Sequence, residues 1–545
     1  MNNLVVQQTA QGLVRALEQL LGADQVRVRG VVIGYDHRAS PEFDCSSLSF
    51  ALHTAGVFVS QGIKTFLFDG LVATPLVPFA ITSLHCAAGC MITASHNPKE
   101  DAGFKLYWEN GCQIVSPIDD TVQRSILANL EPWPEANALI ARGEAAVRAQ
   151  CINPMVPVVN HYVARVVAKL CRRASANAQS PPFCYTAMHG VGLPFATRVF
   201  AGFGLPPPVI VDAQARPDYA FPTVKFPNPE EHGALALAQE VAAKAGCRLI
   251  LANDPDADRL AVAEATSSGA GWAVFTGDEI AMLLADWEMA QRDAHSSSNR
   301  DDDGDKTTKK PKAMVISAVS SRFVKVMGER RGVRVDETLT GFKWIGNRVA
   351  ELQAQGHDVL LSYEEAIGFC VGDVVRDKDG ISAAAVFAEM AGALYARGST
   401  CQARLRALRE EYGFYLSRNG YVKTTNAQRA FDDLRNGGRY ALLLGGVGGL
   451  GAVARRVVHV RDLQSPGGLD TRQPDLKPVL PKASQMITLE LDDGTTITVR
   501  ASGTEPKLKY YVEAHGVDEA EVNERLDGIV SSVVLGRQGV LRSVL

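Results

Sequence analysis

The 545-residue chain is poor in several features that would have pointed elsewhere. Cysteine is sparse and scattered, ten residues (Cys45, Cys86, Cys90, Cys112, Cys151, Cys171, Cys184, Cys247, Cys370, Cys401) without a CxxC pair. Neither a disulfide framework nor a thiolate zinc site is expected, and the thiols read as reduced and mostly buried. Charge of one sign is also lacking: 56 Lys+Arg against 60 Asp+Glu leaves −4. That balance excludes a chain-wide basic surface for nucleic acid or anionic lipid and leaves room for local anion pockets. No run reaches the roughly 18 apolar residues of a membrane span. The opening MNNLVVQQTAQG has neither the basic nor the apolar stretch of a secretory leader. A cytoplasmic protein with no membrane and no nucleic-acid partner is expected.

What is present is bulk. At roughly 150 residues per domain, this length predicts three or four domains, and a composition 46% hydrophobic and 21% charged is that of ordinary globular protein. A first helix can be capped by Asn2 or Asn3, with Leu4, Val5, Leu13, Val14, Leu17, Leu20 and Leu21 at roughly helical spacing. Short apolar runs then alternate with helical stretches: Val31–Gly34, Thr65–Phe68, Ala87–Thr93, Phe183–Met188, Arg248–Asn253, Met314–Ala318 and Val359–Ser362 read as strands. Such alternation implies βαβ units, three α/β layers in series. The segment from His295 to Lys312 has no apolar residue between its ends and reads as a solvated insertion. Near the C-terminus, Met486–Leu491 and Thr495–Val499 flank Asp492-Asp493-Gly494, a hairpin signal that points to a terminal α+β domain.

Four polar loops follow strands, where open α/β sheets bind ligands. Thr93-Ala94-Ser95-His96-Asn97-Pro98, with Lys105 downstream, offers a hydroxyl nucleophile beside an imidazole, although a Ser-His pair alone is usually an ordinary turn. Asn253-Asp254-Pro255-Asp256-Ala257-Asp258-Arg259 places three carboxylates at i, i+2 and i+4, all to one side of an extended backbone. They would repel one another without a divalent cation between them. Mg²⁺ fits, whereas Arg259 and Ala265 stand where a calcium loop needs Gly and Glu. Tyr363-Glu364-Glu365-Ala366-Ile367-Gly368, with Thr340-Gly341 before it and Lys378 after it, could bind sugar hydroxyls and meet a phosphate. Arg500-Ala501-Ser502-Gly503-Thr504-Glu505-Pro506-Lys507, with Lys509 beyond, is a cradle for a phosphate dianion. Gly446–Gly451 fits G-x-G-x-x-G, but Ala452 to Val460 makes a poor helix, so it reads as a Gly-rich loop at a domain junction rather than a dinucleotide site.

These loops in this order, within MITASHNPKEDAGFKLYWENG, FPTVKFPNPEE, LANDPDADRLAVAE, ETLTGFKWIGN, YEEAIGF, DKDGISAAA and RASGTEPKLKYY, resemble the α-D-phosphohexomutase superfamily, within it the phosphoglucomutase-2 and phosphopentomutase branch. The resemblance implies an α/β fold of three consecutive α/β domains with mixed sheets plus a C-terminal α+β domain around a central cleft. The corresponding divisions are 1–178, 179–294, 313–416 and 417–545, with 295–312 as the insertion. It implies an intramolecular phosphotransferase interconverting sugar 1-phosphates with hexose 6-phosphate or pentose 5-phosphate. Ser95 would be carried as phosphoserine, with Mg²⁺ between it and Asp254, Asp256 and Asp258, and a sugar 1,6- or pentose 1,5-bisphosphate as activator. His96, Lys105, Arg259 and Lys378 are then catalytic candidates. Thr340, Gly341, Glu364, Ala366, Arg500, Ser502, Gly503, Thr504 and Lys509 would bind substrate. Ala366 stands where related hexomutases often have Ser, which fits the branch that handles pentose phosphates. The family also begins with a Gly-Thr-x-Gly-x-Arg loop, and this sequence begins at the helix after it, so weak or absent turnover is expected of the chain as given. The alternatives are a glucose-1,6-bisphosphate synthase using the same phosphoserine and a catalytically impaired sugar-phosphate-binding homologue.

Overall fold

Each apolar run buries itself as a strand, and the strands Ala88–Ile92, Leu249–Asn253 and Asp358–Glu364, which lead into polar loops, are each met by a partner returning antiparallel. The computed structural model describes residues 1–266, 271–298, 310–435, 440, 456–482, 485–502, 506–534 and 541. Met1–Ser317, Gly332–Asp336 and Thr340–Arg404 form one compact unit, and Ala318–Arg331, Glu337–Leu339 and Leu405–Leu545 form a second.

The first unit holds three mixed sheets. In the first, the order is Thr65–Leu67, Val31–Tyr35, Ala88–Ile92, Phe104–Trp108. The first three strands are parallel, and Phe104–Trp108 runs antiparallel to Ala88–Ile92. The second runs Trp272–Val274, Leu260–Ala265, Leu249–Asn253, Cys184–Thr186, Val209–Ile210. Cys184–Thr186 pairs parallel with both its neighbours, whereas Leu260–Ala265 pairs antiparallel with both of its own. In the third, Asp358–Glu364 lies parallel to Lys312–Ser317 and antiparallel to Gly368–Val371. The three layers therefore share one plan: a strand rises from the buried sheet, a loop turns over at its end, and the chain returns along the same sheet. Purely parallel βαβ units would have sent the chain into a helix instead. The returning Phe104–Trp108, partly exposed along its first three residues, is the strand that apolar patterning least reveals.

Local chemistry accounts for the element starts. Asn2 caps the helix Asn3–Leu21 through its Oδ1, which accepts from Val5 N at 2.9 Å. The buried face is Val6, Ala10, Leu13, Val14 and Leu17, so the middle of the expected stripe is buried, while Leu4, Val5 and Leu20 at its ends are 50%, 43% and 42% exposed. Ser46 and Ser49 form a reciprocal capping box ahead of Ser47–Ser60.

The second unit carries one antiparallel sheet, ordered Phe414–Lys423, Lys507–Gly516, Thr496–Ala501, Met486–Leu491, Val457–Asp462, Leu469–Asp470. The expected hairpin is there, with Gly494 at φ +79° in its turn. Described elements reach into the expected insertion from both sides. The helix Gly277–Ser298 takes in His295–Ser298, and Lys312 already belongs to the strand Lys312–Ser317. A helix seeded on buried Ile280–Met289 propagates at one hydrogen bond per residue into polar sequence. Residues 299–309 and the Gly446–Gly451 loop lie outside the described residues.

Candidate active site

Three of the four loops meet within the first unit. Ser95 lies in the turn between Ala88–Ile92 and Phe104–Trp108, the acidic loop between Leu249–Asn253 and Leu260–Ala265, and Glu364–Ile367 between Asp358–Glu364 and Gly368–Val371. Each turn contains one non-glycine residue in the left-handed region: Ser95 at φ 52°, Ala257 at 57° and Ile367 at 52°. Such φ values are uncommon outside glycine. They are held by local bonds, Ser95 N to Thr93 Oγ1 at 2.8 Å and Ala257 N to Asp254 O at 2.9 Å. The acidic loop is thus a folded turn rather than the extended run that i, i+2, i+4 spacing suggests. Left-handed Ala257 still brings the three carboxylates together.

Asp254, Asp256 and Asp258 are each 0% exposed, and one oxygen from each lies within 4.8 Å of the others. Ser95 Oγ donates to Asp254 Oδ2 at 2.9 Å and sits 3.2 Å from His96 Nδ1. Lys105 Nζ bridges Asp256 Oδ2 and Asp258 Oδ2 at 2.7 and 2.8 Å, and Lys378 Nζ adds a 3.2 Å ion pair to Asp258 Oδ2. Arg259 N bonds Asp254 Oδ1 at 3.0 Å, while its side chain reaches Ala366 O at 3.2 Å and Glu230 at 3.6 Å. The protein's own donors therefore occupy the Oδ2 atoms of Asp256 and Asp258. The buried Oδ1 atoms of these two aspartates accept no hydrogen bond. Buried carboxylate oxygens that accept no hydrogen bond, in a cluster that also holds a serine hydroxyl, fit a hard divalent cation such as Mg²⁺, which takes a few carboxylates and an oxygen of phosphate.

The electrostatics divide the basic groups by role. Burial would lower the Lys105 and Lys378 ammoniums, but the surrounding aspartates outweigh it and push both up, so both stay charged. Burial, with Arg259 adding to it, holds the His96 imidazole well below its usual range, so it is neutral at neutral pH. Burial also pushes the Asp254 carboxyl well up, helped by the two neighbouring aspartates, as expected where three carboxylates share one site.

The third loop is tied to the acidic one through the backbone. Leu260 N donates to Ile367 O at 3.0 Å, and Arg259 bridges to Gly368. Glu364 Oε2 accepts from Gly341 N at 3.1 Å, and Thr340 precedes this turn. Asp379, next to Lys378, caps the helix Gly380–Tyr395 and accepts from Tyr162 Oη at 2.8 Å. Gly380 is required here, since a Cβ would lie 2.1 Å from Arg259 O.

In the second unit, Arg500 and Lys509 are register partners on adjacent strands and so share a sheet face. Ser502 N closes the turn by donating to Lys507 O at 3.0 Å. Gly503 and Thr504 lie outside the described residues.

Sequence reasoning missed Arg38. It follows the strand Val31–Tyr35, is 3% exposed, and its guanidinium bonds the main-chain carbonyls of Ser95, Asn97 and Pro98. The signal was available, a charged residue just past the end of a central parallel strand, in Gly34-Tyr35-Asp36-His37-Arg38. Arg38→Met is expected to leave these carbonyls unpaired and loosen the serine loop. Hydrogen–deuterium exchange over residues 94–101 should rise at least about tenfold while the sheets keep their protection. Unchanged exchange in this segment would mean that Arg38 does not hold it.

Sheets and site together define a multi-layer α/β protein of the phosphohexomutase type. The chain matches phosphoglucomutase/phosphomannomutase alpha/beta/alpha domain I over residues 1–132, domain II over 160–269, domain III over 276–412, and the C-terminal domain over 473–531. It is 40% identical over 549 residues to the Homo sapiens phosphopentomutase, spanning 98% of this chain and 86% of that one. It is 38% identical over 548 residues to the Homo sapiens glucose 1,6-bisphosphate synthase, spanning 98% and 84%. The open-form crystal structure of parafusin, a Paramecium phosphoglucomutase, shares the fold at 17% identity and TM-score 0.68, covering 99% of this chain and 92% of that one. The chain belongs to the phosphoglucomutase/phosphomannomutase family.

Proposed function

We propose that this chain is an intramolecular phosphotransferase that interconverts sugar 1-phosphates with pentose 5-phosphate or hexose 6-phosphate, using Ser95 as the phosphoryl carrier. The observation that carries the reading is the Ser95 hydroxyl bonded to one of three buried aspartates, two of which, Asp256 and Asp258, keep an Oδ1 that accepts no hydrogen bond, with Lys105, Lys378 and Arg259 around them. In the first half-reaction the Ser95 Oγ–P bond breaks, a P–O bond forms to the free hydroxyl of the sugar phosphate, and the hydroxyl proton passes to a base. Neutral His96 is suited to take it. Charged Lys105, Lys378 and Arg259 offset negative charge on the transferring oxygens. The departing Ser95 Oγ takes up a proton. In the second half-reaction the other P–O bond of the bisphosphate breaks, its phosphoryl group returns to Ser95 Oγ, and the Ser95 proton passes by way of the base to the sugar oxygen left behind. Mg²⁺ held by Asp254, Asp256 and Asp258 would supply charge neutralisation at the phosphoryl group. Arg500, Ser502 and Lys509 serve as a phosphate-binding loop, Glu364 and Gly341 as sugar contacts, and a sugar 1,6- or pentose 1,5-bisphosphate loads the serine. The divisions 1–178, 179–294, 313–416 and 417–545 are retained as four domains.

Ala366 presents no hydroxyl in the sugar loop, and a phosphopentomutase is 40% identical to this chain. Ribose 1-phosphate is therefore the expected preferred substrate. Turnover of ribose 1-phosphate and glucose 1-phosphate, with bisphosphate primer and Mg²⁺, tests this directly. Ala366→Ser should shift the ratio of kcat/KM toward glucose by about fivefold, the worth of one hydrogen bond of about 1 kcal/mol. No turnover of either sugar in the presence of primer, together with no phosphoryl group on Ser95, would refute the mutase reading. Bisphosphate accumulating from glucose 1-phosphate and a bisphosphoglycerate donor would favour the second reading, a synthase, for which the 38% identical relative speaks.

A further inference from the structure

We propose that Thr74 is a positioning residue that orients the Asp256 carboxylate for a divalent cation; the inference rests on the cation reading of the acidic triad. Thr74 lies between the strand Thr65–Leu67 and the helix Leu76–Leu84, in the layer that carries Ser95, and is 0% exposed. It grips Asp256 at two points. Its N–H donates to Asp256 O at 2.9 Å, and its Oγ1 donates to Asp256 Oδ2 at 2.6 Å.

Two points matter because a carboxylate torsion is otherwise broad. Lys105 also reaches Asp256 Oδ2, at 2.7 Å, but it does so as a point charge on a flexible four-carbon stem shared with Asp258. Thr74 is the stiff donor. Its side chain is β-branched, with few χ1 choices. The following Pro75 restricts its backbone, and its own carbonyl is fixed by Val77 N at 3.1 Å. With Oδ2 held by Thr74 and Lys105, Asp256 Oδ1 is left as a buried acceptor without a hydrogen-bond partner. The plane of the carboxylate is thereby set before any cation arrives. Mg²⁺ demands near-ideal octahedral geometry and Ca²⁺ tolerates wide variation, so a fixed plane favours the smaller ion.

The test is divalent-cation binding by the full chain, read by Mn²⁺ electron paramagnetic resonance and by Mg²⁺ and Ca²⁺ competition. Thr74→Val keeps shape and removes the donor. It is expected to weaken Mn²⁺ binding about 10- to 100-fold, the usual effect of losing an outer partner of a metal ligand, and to narrow the preference for Mg²⁺ over Ca²⁺. Thr74→Ser, which keeps the hydroxyl, should restore affinity to within about threefold of wild type. Metal-free melting temperatures establish that the variants fold, and Thr74→Ala replaces the valine variant should that one not fold. A folded Thr74→Val with wild-type Mn²⁺ affinity and ion preference overturns the proposal, as does a serine variant as weak as the valine one. A wild type that binds no divalent cation, or an Asp256→Asn variant that binds as tightly as wild type, overturns the cation reading of the triad and this proposal with it.

Discussion

Ser95→Ala is expected to abolish the single phosphoryl group that intact-mass measurement should detect on the wild-type chain, and with it at least ~10⁴ of mutase turnover, because a reaction split into two transfers has no carrier left. Structure makes the mass readout specific. Ser95 is 8% exposed, its Oγ lies 2.9 Å from Asp254 Oδ2, and its loop is held by Arg38. The variant should keep its sheets, because Ser95 donates to the triad rather than building it. A phosphoryl group still present on Ser95→Ala would place the carrier elsewhere and end the serine reading.

Lys105→Met carries the second large effect, and it falls on stability. Lys105 Nζ bridges two aspartates that are each fully buried, at 2.7 and 2.8 Å. Removing the ammonium leaves these carboxylates facing each other in a region of low dielectric. Breaking such a buried pair from one side costs about 3–5 kcal/mol. The expected result is a marked drop in melting temperature in EDTA that saturating Mg²⁺ largely reverses, because the cation replaces the missing positive charge. Wild type should gain much less from Mg²⁺ than the variant does. A metal-free melting temperature within a degree of wild type would show that the triad does not depend on Lys105 for its charge balance. Activity should fall as well under the proposed mechanism, in which the same ammonium offsets charge on the transferring oxygens.

Much of this site was legible in the sequence because its chemistry is local. Asp254, Asp256 and Asp258 come from one turn, and Ser95 and Glu364 each follow an apolar run, Ala87–Thr93 and Val359–Ser362, that reads as a strand. The geometry of the acidic turn was not legible, because no composition rule places Ala257 in the left-handed region. Arg38 and Thr74 escaped for a different reason. Arg38 acts on backbone carbonyls and Thr74 on a residue 182 positions away, and such partners exist only once separate strands have been brought side by side. The fold divides likewise. Helix starts at Asn2 and Ser46 follow from caps, but the antiparallel return of Phe104–Trp108 is decided by the free edge of a sheet rather than by its own sequence.

Ser95, Ala257 and Ile367 each hold a backbone conformation that glycine would adopt at lower cost. Each strained residue costs of order 1–3 kcal/mol, so the molecule carries built-in instability at all three turns of its reaction centre. The return is precision. A glycine at Ala257 or Ile367 would relax the backbone and enlarge the set of directions in which the neighbouring carboxylates or main-chain carbonyl could point, whereas at Ser95 it would remove the hydroxyl itself. Variants selected for heat resistance alone should therefore gather at Ala257 and Ile367, and should be poorer catalysts for having done so.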